Sequence, residues 1–208
     1  MAQFFQVHPH NPQGRLISQA VVILRRGGVI VYPTDSCYAL GCMPGNRDGI
    51  QRIIRMRRLD PLHHMTLLCR DLSHLGGMAR VDNAAFRMLR SLTPGPYTFL
   101  LRASRSVPRR LVHPRHKTIG LRVPDHRIVL DLLESLGEPL LSTSLILPGQ
   151  DLPETDPELI RERISDRVDL IIDGGHCGFE LTTVIDLVGA APELIRQGKG
   201  PVGRLITS

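Results

Sequence analysis

The chain has 208 residues, 42% hydrophobic and 22% charged, and its formal net charge of +6 comes almost wholly from arginine, since Lys117 and Lys199 are its only lysines. That length and balance fit one globular domain over residues 1–208 and exclude a membrane span, because no apolar run approaches the ~20 residues that one needs. Cys37, Cys42, Cys69 and Cys177 form no CxxC pair, and neither His63-His64 nor His113/His116 has a carboxylate or cysteine at ligand spacing, so no zinc site and no disulfide framework is expected.

The first residues, MAQFFQVHPHNPQ, lack the basic-then-apolar pattern of a signal peptide, and a cytoplasmic location is expected. The run QGRLISQAVVILRRGG places Leu16, Ala20, Ile23 and Leu24 on one helical stripe closed by Gly27-Gly28. VIVYP reads as a short buried strand and YALGC as an extended segment, after which Asn46 caps a helix carrying Ile50, Ile53 and Ile54. TLLCRD is a strand, and DNAAFRMLRSL a helix capped by Asp82 and stopped before Pro94. YTFLLRAS and TIGLRVP are strands, and Asp125 is the expected cap of the helix HRIVLDLLESLG, which ends on Gly137. GEPLLSTS carries a further strand that ends in three hydroxyls. Asp156 and Pro157 then open a helix in DPELIRERISD, and VDLIIDGG, TTVIDLV and ELIRQG supply the last strands. Strands alternating with helices make an α/β sheet with helices on its faces, and the closely spaced strand pairs imply some antiparallel edges.

In such a sheet ligands bind beyond strand ends, where loops present backbone N–H groups and short polar side chains. Four strand ends carry suitable residues. Thr34 and Asp35 follow VIVYP; Thr118 and Arg122 lie four apart on one strand and address one face; Ser142-Thr143-Ser144 close a strand; Thr182-Thr183 open another. Each also has an ordinary structural reading, as turn former, snorkelling arginine or hydroxyl bonded to nearby backbone. No P-loop, GxGxxG, HExxH or GxSxG pattern occurs. The residues by themselves describe an α/β domain with a hydroxyl- and arginine-lined anion site, since guanidinium forks suit phosphate and carboxylate.

Taken in order, VYPTDSCYALG, MRRLDPLHHMTLLCRD, TPGPYTFLL, KTIGLRVPDH, GEPLLSTS, TTVIDL and LIRQG resemble the YrdC/YciO family from near the N-terminus to about Gly198. The resemblance implies a twisted sheet of mixed parallel and antiparallel strands with helices on its faces and a basic concave surface. It implies threonylcarbamoyl-AMP synthase chemistry: ATP with Mg²⁺, L-threonine and bicarbonate give threonylcarbamoyl-AMP and pyrophosphate, for modification of adenosine in tRNA. Carried over by position, Thr34, Arg122, Ser142 and Thr182 would contact threonine, with Arg122 gripping its carboxylate. Arg57, Thr118, Ser144 and Arg196 would contact the nucleotide, and Arg57 with Ser144 would carry the catalytic role. No protein-held metal is implied.

The chain departs from the synthase pattern. Synthases carry Lys-x-Arg and Ser-x-Asn where this sequence has Arg57-Arg58-Leu59 and Ser144-Leu145-Ile146; Asp60 replaces a proline, and a site asparagine falls on His63. Leu59 and Ile146 cannot donate a hydrogen bond, and one donor missing in the transition state is worth ~3 kcal/mol, about two orders of magnitude in rate. These departures resemble the YciO branch. Synthase-type chemistry at reduced rate is therefore expected. The rival reading is a YciO-type protein without efficient synthase activity that binds tRNA, rRNA or double-stranded RNA. Such binding would be led by backbone charge, because 4% aromatic content and no Trp leave little for base stacking.

Overall fold

The computed structural model describes residues 1–60, 63 and 65–203; His64, of the paired histidines, lies outside the described residues. The strands are β1 (Gln3–Gln6), β2 (Ile30–Tyr32), β3 (Ala39–Cys42), β4 (Thr66–Leu68), β5 (Tyr97–Arg102), β6 (Thr118–Arg122), β7 (Leu140–Ser144), β8 (Leu170–Asp173), β9 (Thr183–Asp186) and β10 (Glu193–Arg196). They form one mixed sheet in the order β1-β8-β2-β3-β7-β4-β6-β5-β9-β10. β1, β8 and β2 are parallel neighbours, as are β4 with β6 and β5 with β9. β3 and β7 are antiparallel to both of their neighbours. Antiparallel pairing thus runs through the middle of the sheet as well as at the β9–β10 edge, because β3 folds straight back on β2 and β7 inserts between β3 and β4.

Side chains alternate across a strand, and here the alternation splits the core in two. Val31, Leu40, Leu67, Phe99, Leu121, Leu141 and Ile185 join one cluster, with α2 (Arg47–Arg57), α3 (Leu72–Gly76), α4 (Asn83–Leu92) and α6 (Pro157–Ile164) packed on it through Ile53, Leu75, Leu89 and Ile160. Tyr32, Ala39, Leu68, Leu140 and Ile172 join the other, under α1 (Gly14–Arg25) and α5 (Arg127–Leu136). The second cluster takes no strand residue from β5, β6 or β9. On those strands the same face carries Thr98, Gly120, Arg122 and Val184, and there the ligand-sized space opens.

Local signals account for most helix ends. Asn46 Oδ1 accepts the Gly49 N–H at 2.9 Å while its Nδ2 donates to Gly27 O at 2.7 Å, so one amide caps α2 and ties it to the end of α1. Asp82 and Asp156 cap α4 and α6 as expected, with Pro157 the first residue of α6. Two expectations are corrected. The buried stripe of α1 is Ile17, Ala20, Val21 and Leu24; Leu16 and Ile23 only flank it, because the helix is rotated between the sheet and α5. Asp125 does not cap α5, which begins at Arg127 behind His126 with no side-chain cap; Gly137, at φ 72°, closes it. β1 and α3 have no counterpart among the expected elements. Each is too short for periodicity to show. No helix among the described residues is long and apolar enough to cross a membrane.

Candidate active site

The cleft lies on the face of β7-β4-β6-β5-β9 that α1 and α5 leave open. Register sets its floor: Gly41 pairs with Ser142, Ser142 with Thr66, Thr66 with Gly120 and Gly120 with Leu100, so these residues form one row across the sheet. Above that row Arg57, His63, Ser142, Ser144, Thr182 and Arg196 face a cleft of about 250 Å³. A smaller polar recess of about 40 Å³ continues from it to Thr34, Ser36, Cys37 and Arg122. A third cavity of about 110 Å³ between α2 and residues 110–114 shares only His63 with the cleft and holds none of the expected site residues.

Ser142 is buried and set from behind. Tyr32 donates its phenolic proton to Ser142 Oγ at 2.5 Å. The ring crosses Gly41, where a Cβ would meet it at 2.7 Å, so only glycine admits this approach. Burial pushes the Tyr32 phenol up from its ordinary value, outweighing the Ser142 bond and the Arg122 charge, so it stays a neutral donor throughout the working pH range. With one lone pair of Ser142 Oγ occupied, the serine proton is free to point into the cleft.

Arg57 ends α2 and reaches under the end of β7. Its Nη1 donates to Thr143 Oγ1 at 2.5 Å and its Nε to Ile146 O at 3.0 Å. Those two bonds fix the guanidinium while leaving N–H groups toward the cleft. Across the cleft Arg196 donates from Nη2 to Thr182 O at 2.9 Å, and Thr182 Oγ1 lies 2.9 Å from Thr98 Oγ1. Partial burial, then the charges of Arg57 and Arg196, hold the His63 imidazole below its ordinary value, against Asp60. His63 is therefore neutral at pH 7, able to accept or donate one hydrogen bond between two guanidinium groups.

The recess is built on the turn after β2. Thr34 Oγ1 accepts the N–H groups of Ser36 and Cys37 at 3.1 and 3.2 Å and donates to Cys37 O at 2.7 Å, so its hydroxyl is consumed by its own turn. Arg122, only 6% exposed, donates from Nη2 to Asp35 Oδ1 and from Nη1 to Ser36 Oγ at 3.3 Å. Among the described residues, its Nε and Asp35 Oδ2 are buried without a hydrogen-bond partner. Such orphaned atoms are costly in the interior and become favourable when a ligand supplies the missing half. Burial pushes the neighbouring Cys37 thiol up, against its bonds to Ser144 and Ser36 and the Arg122 and Arg57 charges.

Of the expected residues, Arg57, Ser142, Ser144, Thr182 and Arg196 meet at the cleft and Thr34 and Arg122 at the recess. Thr118 shares the face of Gly120 and Arg122 but is buried opposite Arg102 and lines neither space. Ile146 lines the cleft, whereas Leu59 packs on the core beside α2. Sequence reasoning missed Tyr32, Ser36, Thr66 and Thr98. Only Ser36 had a local signal, the Thr-x-Ser spacing of its turn.

The sequence and the fold both match known proteins. The Sua5_yciO_yrdC family, described as "Telomere recombination", matches residues 22–198. The chain is 55% identical over 202 residues to the Escherichia coli protein named YciO, covering 97% of this chain and 98% of that one. Its fold matches the crystal structure of E. coli YciO with a TM-score of 0.94 over 98% of each chain. It is also 42% identical over 128 residues, 61% of this chain and 68% of the relative, to a threonylcarbamoyl-AMP synthase of Laribacter hongkongensis. The P. abyssi Sua5 structure complexed with L-threonine matches with a TM-score of 0.85 and 26% identity, covering 94% of this chain and 57% of that one. The strand order, the hydroxyl-lined cleft and these matches lead to one statement: the chain belongs to the Sua5/YciO/YrdC family.

Proposed function

We propose that the cleft binds ATP–Mg²⁺ and L-threonine and joins them with bicarbonate into threonylcarbamoyl-AMP, releasing pyrophosphate. The observation that carries this reading is the convergence of two fixed guanidinium groups, Arg57 and Arg196, on Ser142, Ser144 and Thr182 beside the buried, incompletely bonded Arg122. A relative named threonylcarbamoyl-AMP synthase and a relative solved with L-threonine support the choice of substrates.

In this reading threonine's amine captures bicarbonate-derived CO₂ as a carbamate. A carbamate oxygen then attacks the α-phosphate of ATP, and pyrophosphate leaves with the electrons of the broken P–O bond. Mg²⁺ travels with ATP as part of the substrate. Arg57 and Arg196 neutralise phosphate charge, Ser142 and Ser144 donate hydrogen bonds, and Arg122 takes the threonine carboxylate at the recess. No covalent enzyme intermediate is needed, so positioning and electrostatics supply the rate. Calorimetric titration tests the site. Ser144→Ala with Arg196→Ala should weaken ATP binding with little change in melting, and unchanged ATP affinity would reject the assignment.

A further inference from the structure

We propose that His126, at the start of α5, is a positioning residue for the carboxylate of the amino acid at Arg122. It acts across Asp35, so that a proton on His126 and a carboxylate at Arg122 favour one another. That the carboxylate is threonine's rests on the proposed function; the coupling between the two groups does not.

Among the described residues, the buried side-chain polar atoms without a hydrogen-bond partner are Arg122 Nε, Asp35 Oδ2 and His126 Nδ1. All three fall in one cluster. Arg122 Nη2 donates to Asp35 Oδ1, and Asp35 and Arg122 are the two charges that act most strongly on the His126 imidazole. An unbonded polar atom in the interior is costly, and three together mark a place that a proton and a ligand can complete.

Three elements hold the cluster. Asp35 lies on the turn after β2, Arg122 ends β6, and His126 precedes the first residue of α5. The first turn of α5 seats against the turn that carries Asp35. A Cβ on Gly174 would meet both Ile128 Cδ1 and Pro33 Cγ at 2.8 Å, so those two side chains close around the glycine. His126 makes no cap bond to α5, which leaves its ring unengaged by its own helix. Lys199 Nζ donates to Asp35 O at 2.5 Å and pins the turn from the C-terminal segment.

The groups facing His126 fix the direction of the effect. Burial is the largest influence and holds the imidazole below its ordinary value; Asp35 and Asp125 oppose it, while Arg122 and His10 reinforce it. The ring is therefore neutral at pH 7, and Asp35 serves Arg122 alone. Arg122 lines the recess, so a carboxylate bound there offsets the charge that repels a proton from His126. Conversely, a proton on His126 draws on Asp35 and leaves more of the guanidinium charge to the ligand. Linkage makes the two effects equal. Affinity for the carboxylate should thus rise as pH falls through the His126 titration. Between pH 5.5 and pH 7 threonine's own carboxylate stays ionised and its amine protonated, so the ligand adds no titration of its own.

The test follows the His126 imidazole by NMR in the full chain, assigned through the backbone, with threonine and acetate added separately. Calorimetry measures threonine affinity against pH in the parent and in His126→Gln, and melting checks that the variant folds. Saturating threonine should raise the His126 titration midpoint. Threonine affinity of the parent should rise about three- to fivefold from pH 7 to pH 5.5, the part of a typical coupling that this window samples. Proton uptake should accompany binding, and the rise should largely vanish in His126→Gln. His63 faces the cleft and can titrate nearby, and the comparison with His126→Gln removes its share. Should the variant melt early, the midpoint in the parent decides alone. Threonine that binds without moving the midpoint overturns the proposal and leaves the proposed function standing, as does an equal pH response in parent and folded variant. Acetate that raises the midpoint where threonine does not bind upholds the coupling and rejects threonine as the substrate. A midpoint that neither ligand moves overturns the proposal.

Discussion

Tyr32 donates to Ser142 Oγ across 2.5 Å, and the bond joins residues 110 positions apart through the gap left by Gly41. It fixes Ser142 as a donor toward the cleft. Tyr32→Phe keeps the ring and removes the bond. Turnover should fall about five- to tenfold with little change in the threonine KM, and stability should drop by ~1 kcal/mol. A rise in KM with unchanged turnover would mean that Ser142 needs no orientation.

Arg57 should matter through geometry as well as charge. Arg57→Ala removes the fork between Thr143 and Ile146 and should lower pyrophosphate release by about 10²–10³-fold. Arg57→Lys keeps the charge but cannot make the same pair of bonds, so it should recover only part of the rate. Full recovery by lysine would reduce the role to a point charge.

The two lost family donors separate in the structure. Ile146 lines the cleft and Leu59 packs on the core, so Ile146→Asn alone should raise turnover. Leu59→Arg should instead lower stability by ~1–3 kcal/mol without a gain in rate. Rate assays beside denaturant melts distinguish these outcomes, and a gain from Leu59→Arg alone would contradict its placement.

Asp35 is the charge partner of buried Arg122. Asp35→Ala should destabilise the protein by ~3 kcal/mol, because it leaves a buried guanidinium uncompensated. Threonine, supplying a carboxylate to the same group, should then raise the melting temperature more in the variant than in the parent. An equal threonine shift in both would place the carboxylate elsewhere.

Burial pushes the thiols of Cys42, Cys69 and Cys177 up to about 12 from the ordinary 9. Raised folded-state values favour the protonated form, so their contribution is complete below pH 9 and is lost as pH rises toward 12. Each thiol then removes up to ~1.4 kcal/mol of stability per pH unit. Urea midpoints should therefore decline steadily above pH 9, whereas a flat profile to pH 10.5 would show that these thiols titrate normally.

The helix caps at Asn46, Asp82 and Asp156 and the hydroxyl-ended strand at Ser142–Ser144 were legible because their signals are local. The gathering of Arg57, Ser142, Ser144, Thr182 and Arg196 followed from motif order through family resemblance, which carries long-range information that spacing lacks. What remained hidden depends on tertiary register. Tyr32 and Thr98 read as strand residues, and nothing local shows which face they take or which hydroxyl they meet. Asp125 looked like a cap until the start of α5 fixed its offset. Thr34 reads equally as a turn former and as a substrate contact, and only the fold shows its hydroxyl bonded within its own turn at the edge of the recess.

The most direct test of the account supplies the purified protein with ATP–Mg²⁺, L-threonine and labelled bicarbonate and follows the label by mass spectrometry. The account predicts label in threonylcarbamoyl-AMP with one pyrophosphate per product, at a rate that Ile146→Asn increases and Arg57→Ala nearly abolishes. No labelled adenylate from the parent or from Ile146→Asn, while both still bind ATP and threonine, would contradict it.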